Sequence, residues 1–128
     1  DFAAQYAESL HKTSGHITCI SDRDTIIAVS GAAKKEFLEK SLSSDVERII
    51  EEKNTLVVKA PEEKTITILA DENGEKRYSS QVVSPIISEG DPIGAVMFLS
   101  TDPNTRMGEV EAKLAQTAAG FLGKQMEQ

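Results

Sequence analysis

Val82-Val83-Ser84-Pro85-Ile86-Ile87-Ser88-Glu89-Gly90-Asp91-Pro92-Ile93-Gly94-Ala95-Val96-Met97-Phe98-Leu99 is a pair of apolar runs folded about a Gly-Asp turn. Gly90 takes positive φ at a tight turn without a Cβ penalty, and Pro92, which has no N–H, is tolerated only near the start of a strand. The stretch therefore predicts a β-hairpin. In its second strand Ile93, Ala95, Met97 and Leu99 alternate with Val96 and Phe98, so both faces are apolar and both need cover. Such a strand belongs in the middle of a sheet, between two layers. Pro85 in the first strand predicts a bulge or a locally unpaired position.

C-terminal to the hairpin, Asp102-Pro103-Asn104 breaks the sheet, and residues 105–127 predict one long helix. Its residues Met107, Val110, Leu114, Thr117 and Phe121 recur at alternating spacings of three and four, while Ala118, Leu122 and Met126 form a flanking stripe. That apolar face is wider than a sheet alone would use, so one half can cover the sheet and the other can meet a partner. At the other end of the chain Phe2, Tyr6 and Leu10 stand at i, i+4 and i+8 beside Ala3 and Ala7. They predict an amphipathic helix over 1–14, closed near Gly15.

Between these ends, 17–21 and 25–29 read as two short strands around Asp22-Arg23-Asp24, a turn of residues that satisfy their own backbone. A short helix is predicted over 32–40 with Phe37 and Leu38 inward. A second is predicted from Ser44, which has capping-box spacing to Glu47, to about Lys53, with Val46, Ile49 and Ile50 as its stripe. Residues 54–64 have a weak pattern and are expected to be mobile, although 55–58 could be a strand. The alternation of Thr65-Ile66-Thr67-Ile68-Leu69 predicts a strand, followed by a charged turn over 71–77 and a strand over 78–88. The class is α+β: an antiparallel sheet with the terminal helices on one face and short helices and loops on the other.

A chain of 128 residues can bury roughly two-thirds of the surface its unfolded form exposes, which suits a single domain. It starts at Asp1, so the expectation is a piece of a longer protein. No apolar run approaches the roughly 18 residues needed to span a bilayer. A single cysteine, Cys19, lies in an apolar stretch and fits a reducing cytoplasm. The net charge of −7, from 21 acidic and 14 basic residues, opposes binding of a polyanion, because counterion release needs clustered Lys and Arg.

With Pro85-Ile86, Gly90-Asp91, Ile93-Gly94 and Val96 in a sheet that begins and ends in helices, the chain resembles the GAF family of small sensor domains. Ile26-Ile27-Ala28-Val29-Ser30-Gly31 running into Lys34-Lys35, Met107-Gly108-Glu109-Val110-Glu111, and Thr117-Ala118-Ala119-Gly120-Phe121-Leu122 carry a closer likeness. They are similar to the C-terminal regulatory halves of transcription regulators from spore-forming bacteria. The likeness covers essentially the whole chain. It implies a parent protein with an N-terminal AbrB-like swapped-hairpin domain that binds DNA and is absent here. Small molecules bound by the GAF family commonly sit between the sheet and the irregular segments beside it, here residues 31–64, so the resemblance allows an unidentified small-molecule effector there.

Material for catalysis is thin. His11, His16 and Cys19 lack metal-ligand spacing, and no metal or cofactor is expected. Some GAF-like proteins reduce methionine sulfoxide with several cysteines, but Cys19 alone cannot supply both an attacking and a resolving thiol. Asp22 and Asp24 read as a solvated turn. The candidate ligand contacts are Ser30, Gly31 and Lys34, where the start of a helix and a lysine favour an anion. The candidate dimer seam is Phe2, Tyr6, Leu10, Met107, Val110, Leu114 and Phe121, forming a four-helix bundle about a two-fold axis. The expected function is a non-enzymatic regulatory and oligomerisation domain of a sporulation transcription factor. The alternative is a structural dimerisation module with no ligand.

Overall fold

In chain order the elements are α1 (Phe2–Ser14), β1 (Ile17–Ser21), β2 (Ile26–Ser30), α2 (Lys34–Phe37), α3 (Ser44–Glu52), β3 (Leu56–Lys59), β4 (Ser80–Ser88), β5 (Asp91–Ser100) and α4 (Glu109–Gln125). This computed structural model describes every residue except Glu75, Glu127 and Gln128. The end of the predicted C-terminal helix at 127 and one position of the charged turn at 71–77 thus lie outside the described residues.

All strand pairs are antiparallel, and the five-stranded order β2-β1-β5-β4-β3 puts β5 in the centre, as its two apolar faces require. Glu89 and Gly90 both have positive φ, 51° and 86°, which is the two-residue turn that matches strand twist. The hairpin register slips between Ile86, paired with Gly94, and Ile87, paired with Pro92. Ile93 is therefore an extra residue, and the bulge lies in the second strand near the proline of the first. It turns Ile93 to the side of Val96 and Phe98, correcting the simple alternation that grouped it with Ala95.

The sheet separates two apolar layers. Ala95, Met97 and Leu99 join Cys19 and Val83 beneath α2, α3 and the segment 65–78. Val96 and Phe98 join Ile20, Val82 and Ile86 beneath α1 and α4. Ala115, Ala118, Ala119 and Leu122 form the buried stripe of α4, their small side chains letting the helix lie close on β4 and β5. The first helix covers β1 and β2 through Ala7 and Leu10.

Local expectations fail where tertiary pairing overrides pattern. Residues 65–69 are not a strand; the fifth strand is β3, on the segment expected to be mobile. Its pairing with β4 occupies the edge that 65–69 would have needed, and that segment crosses over the layer instead. The helix predicted over 32–40 keeps one turn, because Glu39 and Lys40 bond the backbone of Ile26. The cap of α3 is Ser43, one residue earlier than expected, its hydroxyl accepting the Val46 N–H at 3.1 Å. The last helix starts at Glu109, since residues before it are held to the sheet, the Met107 N–H donating to Ser80 Oγ at 2.9 Å. Among the described residues no helix is long and apolar enough to cross a membrane.

Candidate functional site

Ser30 ends β2, and Gly31, at φ 92°, turns the chain toward α2. A Cβ at position 31 would stand 2.6 Å from His11 Nδ1, so glycine is required where this turn touches the first helix. A surface groove of about 260 Å³ is lined by Ser30 and Lys34 together with Asp1, Gln5 and Glu8 of the α1 side. Two carboxylates therefore share the groove with the lysine. The helix α2 is a single turn whose N-cap, Ala33, offers no side-chain bond. The arrangement suits a ligand bearing both charges better than a bare anion.

The space between the sheet and the segments over it is filled. Phe37, Val46, Ile50, Ile68, Leu69 and Tyr78 are all buried there against Cys19, Met97 and Leu99. Larger openings lie at the rim, such as a cavity of about 670 Å³ between Arg23-Asp24 and the outer face of α3. Its charges are partly internally paired, Arg23 with Glu51 at 3.2 Å and Arg48 with Glu52 at 3.9 Å.

Polar side chains fasten this layer where the backbone has no ladder. The Ile66 N–H donates to Gln81 Oε1 at 2.9 Å, and Gln81 Nε2 donates to the Ile66 carbonyl at 2.7 Å. Glu72 accepts the Ile68 N–H at 2.9 Å and the Tyr78 hydroxyl at 3.1 Å. Burial first, then the Glu72 charge and hydrogen bond, push the Tyr78 phenol far above its ordinary range, so it is a neutral donor.

None of the candidate reactive groups is set for catalysis. Burial pushes the Cys19 thiol up to about 12, leaving it protonated and not nucleophilic. Asp22 spends one carboxylate oxygen on the N–H groups of Asp24 and Thr25, both at 2.8 Å. His11 Nδ1 bonds the His16 carbonyl at 2.8 Å, and His16 Nε2 stands 3.3 Å from Glu111 Oε2. Glu111 Oε1 accepts the Gly108 N–H at 2.8 Å, closing half of a capping box, since glycine has no side chain to return the bond. No group of three or more potential metal ligands occurs among the described residues.

The terminal helices run antiparallel over the other layer, joined by an aromatic contact at one end and at the other by a contact from the link between α1 and β1. The Tyr6 ring lies 5.6 Å from Phe2 and 5.6 Å from Phe121, while His16 meets Glu111 at the opposite end. Val110, Phe121 and Phe2 are 77%, 47% and 45% exposed. Tyr6 and Leu114 are half-buried. Leu10 of the first helix and Met107, in the segment ahead of the last helix, are buried against the sheet inside one chain.

Sequence reasoning missed Gln81, Glu72 and Glu111. A glutamine facing inward in an otherwise apolar strand was the available signal for the first, and a glutamate three residues after Gly108 for the last.

A family model described as "Stage V sporulation protein T C-terminal, transcription factor" matches residues 1–127. Stage V sporulation protein T of Bacillus subtilis (strain 168) is 44% identical over 129 residues, a match covering 100% of this chain and 68% of that protein. The GAF domain of an Acinetobacter phosphoenolpyruvate-protein phosphotransferase superposes with a TM-score of 0.76 at 14% identity, covering 95% of this chain and 78% of that one. The cofactor-binding GAF domain of the nutrient sensor CodY from Clostridium difficile gives 0.66 at 14% identity, covering 96% and 83%. At such identities the shared property is the GAF fold.

Proposed function

This chain belongs to the family of the C-terminal domain of stage V sporulation protein T, a transcription factor, and from that premise we propose that it is the non-catalytic regulatory and oligomerisation domain of a cytoplasmic regulator. The exposed run of Phe2, Tyr6 and Phe121 across two helices, with Val110 and Leu114 continuing along α4, carries this reading. Two copies that bring these faces together form a four-helix bundle about a two-fold axis, covering rings that otherwise stay half in water.

An effector binding beside Ser30 and Lys34 would act on the bundle through Gly31, which packs beside the His11 ring of the first helix so closely that a Cβ would collide with it. Its effect is limited to its differential affinity for two arrangements of the terminal helices. Contact with DNA falls to a segment outside this chain, in keeping with the charge of −7. Sedimentation velocity of the full-length protein and its Phe121→Ala variant tests the bundle: the variant should dissociate at concentrations where the parent stays associated. An unchanged sedimentation coefficient would refute it.

The filled layer under 65–69 favours a second reading, a structural dimerisation module with no ligand. A thermal-shift screen of nucleotides, amino acids and small acids separates the two, because a molecule that binds only the folded state raises its stability. Uniformly flat melts with the dimer intact would leave the structural module.

A further inference from the structure

Gln81 is a fully buried amide near the start of β4, and both its hydrogen-bonding ends go to the backbone of one residue, Ile66. It does by side chain what a neighbouring strand would do by ladder. The segment it holds is fastened differently along its other side. There the Ser43 N–H donates to the Ile68 carbonyl at 2.8 Å and the Ala70 N–H to the Ser41 carbonyl at 2.9 Å. The Ser43 hydroxyl donates to the Thr67 carbonyl at 2.6 Å, and Leu42 bridges Leu69. Below lies only apolar contact: Ile66, Ile68 and Leu69 rest on the cluster that contains Cys19, Val83, Met97 and Leu99.

The two attachments are unequal. Residues 41–43 are tied in turn to Asp24 and Thr25 just ahead of β2 and to the N-cap of α3, whereas the described polar holds on the sheet side are the Gln81 amide and, at the far end of the segment, the Tyr78 hydroxyl on Glu72. Separating residues 65–72 from the sheet breaks the two Gln81 hydrogen bonds and loosens that of Tyr78 with Glu72, and exposes part of one layer, far less than unfolding the five strands. We infer that residues 65–72 form a strap that swings off the sheet about its attachment to 41–43, with the Gln81 amide as its catch, while the sheet stays folded. Opening uncovers the floor of Cys19, Val83 and Met97. Any molecule entering that filled layer must wait for the open state, so its apparent affinity falls by the open fraction; this last consequence alone rests on the regulatory reading.

Cys19 reports the opening. Its thiol is fully buried under the strap and feels the charges of Lys76 and Glu72. Alkylation by iodoacetamide therefore measures access through the strap, read on the Cys19 peptide of the full-length protein by mass spectrometry. Labelling should be slow, should depend weakly on urea below the unfolding transition, and should accelerate roughly tenfold or more in Gln81→Met, which keeps the volume and removes both bonds. Ile86→Val, a mild cavity on the opposite face of the same strand, should leave the low-urea rate unchanged. Labelling with the urea dependence of global unfolding would overturn the strap, as would a Gln81→Met rate no higher than that of Ile86→Val. If Gln81→Met fails to fold, the urea dependence of the unaltered protein decides alone. A flat effector screen leaves the labelling result standing.

Discussion

Gly123 of the last helix lies directly on the carbonyl of Ile87, at the bulged end of the hairpin: a Cβ built at position 123 would overlap that oxygen. The helix can press onto β4 there only because the side chain is missing. One turn earlier Gly120 faces open space, with nothing within 4 Å of its would-be Cβ.

The two glycines predict opposite outcomes for the same substitution. Gly120→Ala gains helix propensity and should stabilise by roughly 0.5–1 kcal/mol. Gly123→Ala gains the same propensity but must push a backbone carbonyl, and overpacking of roughly 1–3 kcal/mol outweighs the gain. Chemical denaturation of both variants checks the difference in sign.

Phe121→Ala should cost roughly 1 kcal/mol in the isolated fold, less than the 3–5 kcal/mol of a fully buried ring, because the side chain is 47% exposed. Its larger effect should fall on association. Thermal melts over a range of protein concentration separate the two: the loss in Tm should grow where the parent is dimeric and shrink on dilution.

The Glu111 carboxyl is held below its ordinary value of 4.5. Partial burial opposes ionisation, but the Gly108 and Glu111 N–H groups and His16 outweigh it. A depressed carboxyl contributes stability above its unfolded value and loses it as pH falls through the lower folded value. The parent should exceed Glu111→Gln by roughly 1 kcal/mol at neutral pH. That margin should close on acidification below 4.5. A margin that stays constant down to strongly acidic pH would rule out the ionised Glu111 carboxyl as its source.

The isolated domain, at −7, should show no salt-dependent affinity for duplex DNA. Fluorescence anisotropy at low ionic strength tests this, and a rise that fades with added salt would contradict it.

What was legible in the sequence was what depends on neighbours along the chain. The hairpin about Gly90, the central place of β5 and the helix closed at Gly15 follow from periodicity and turn chemistry. The swap of 65–69 for β3 does not, because 65–69 alternates more cleanly than Leu56-Val57-Val58-Lys59 and only competition for one edge of β4 decides between them. Ile93 changed sides through a single inserted residue. Of the candidate seam, Phe2 and Phe121 face water, while Met107 belongs to a stretch that Ser80 draws out of the helix, a contact between positions far apart in sequence. The Ser30 and Lys34 groove was legible in its basic half; Asp1 and Glu8 enter it only once the first helix packs across β2.

Tyr6 meets Phe121 helix to helix, whereas His16, in the link between the first helix and β1, meets Glu111 at the start of the last helix. The last helix is thus tied near its end to the first helix and at its start to the link that feeds the sheet, so a tilt of the first helix is felt by the last one through the aromatic end of the pair.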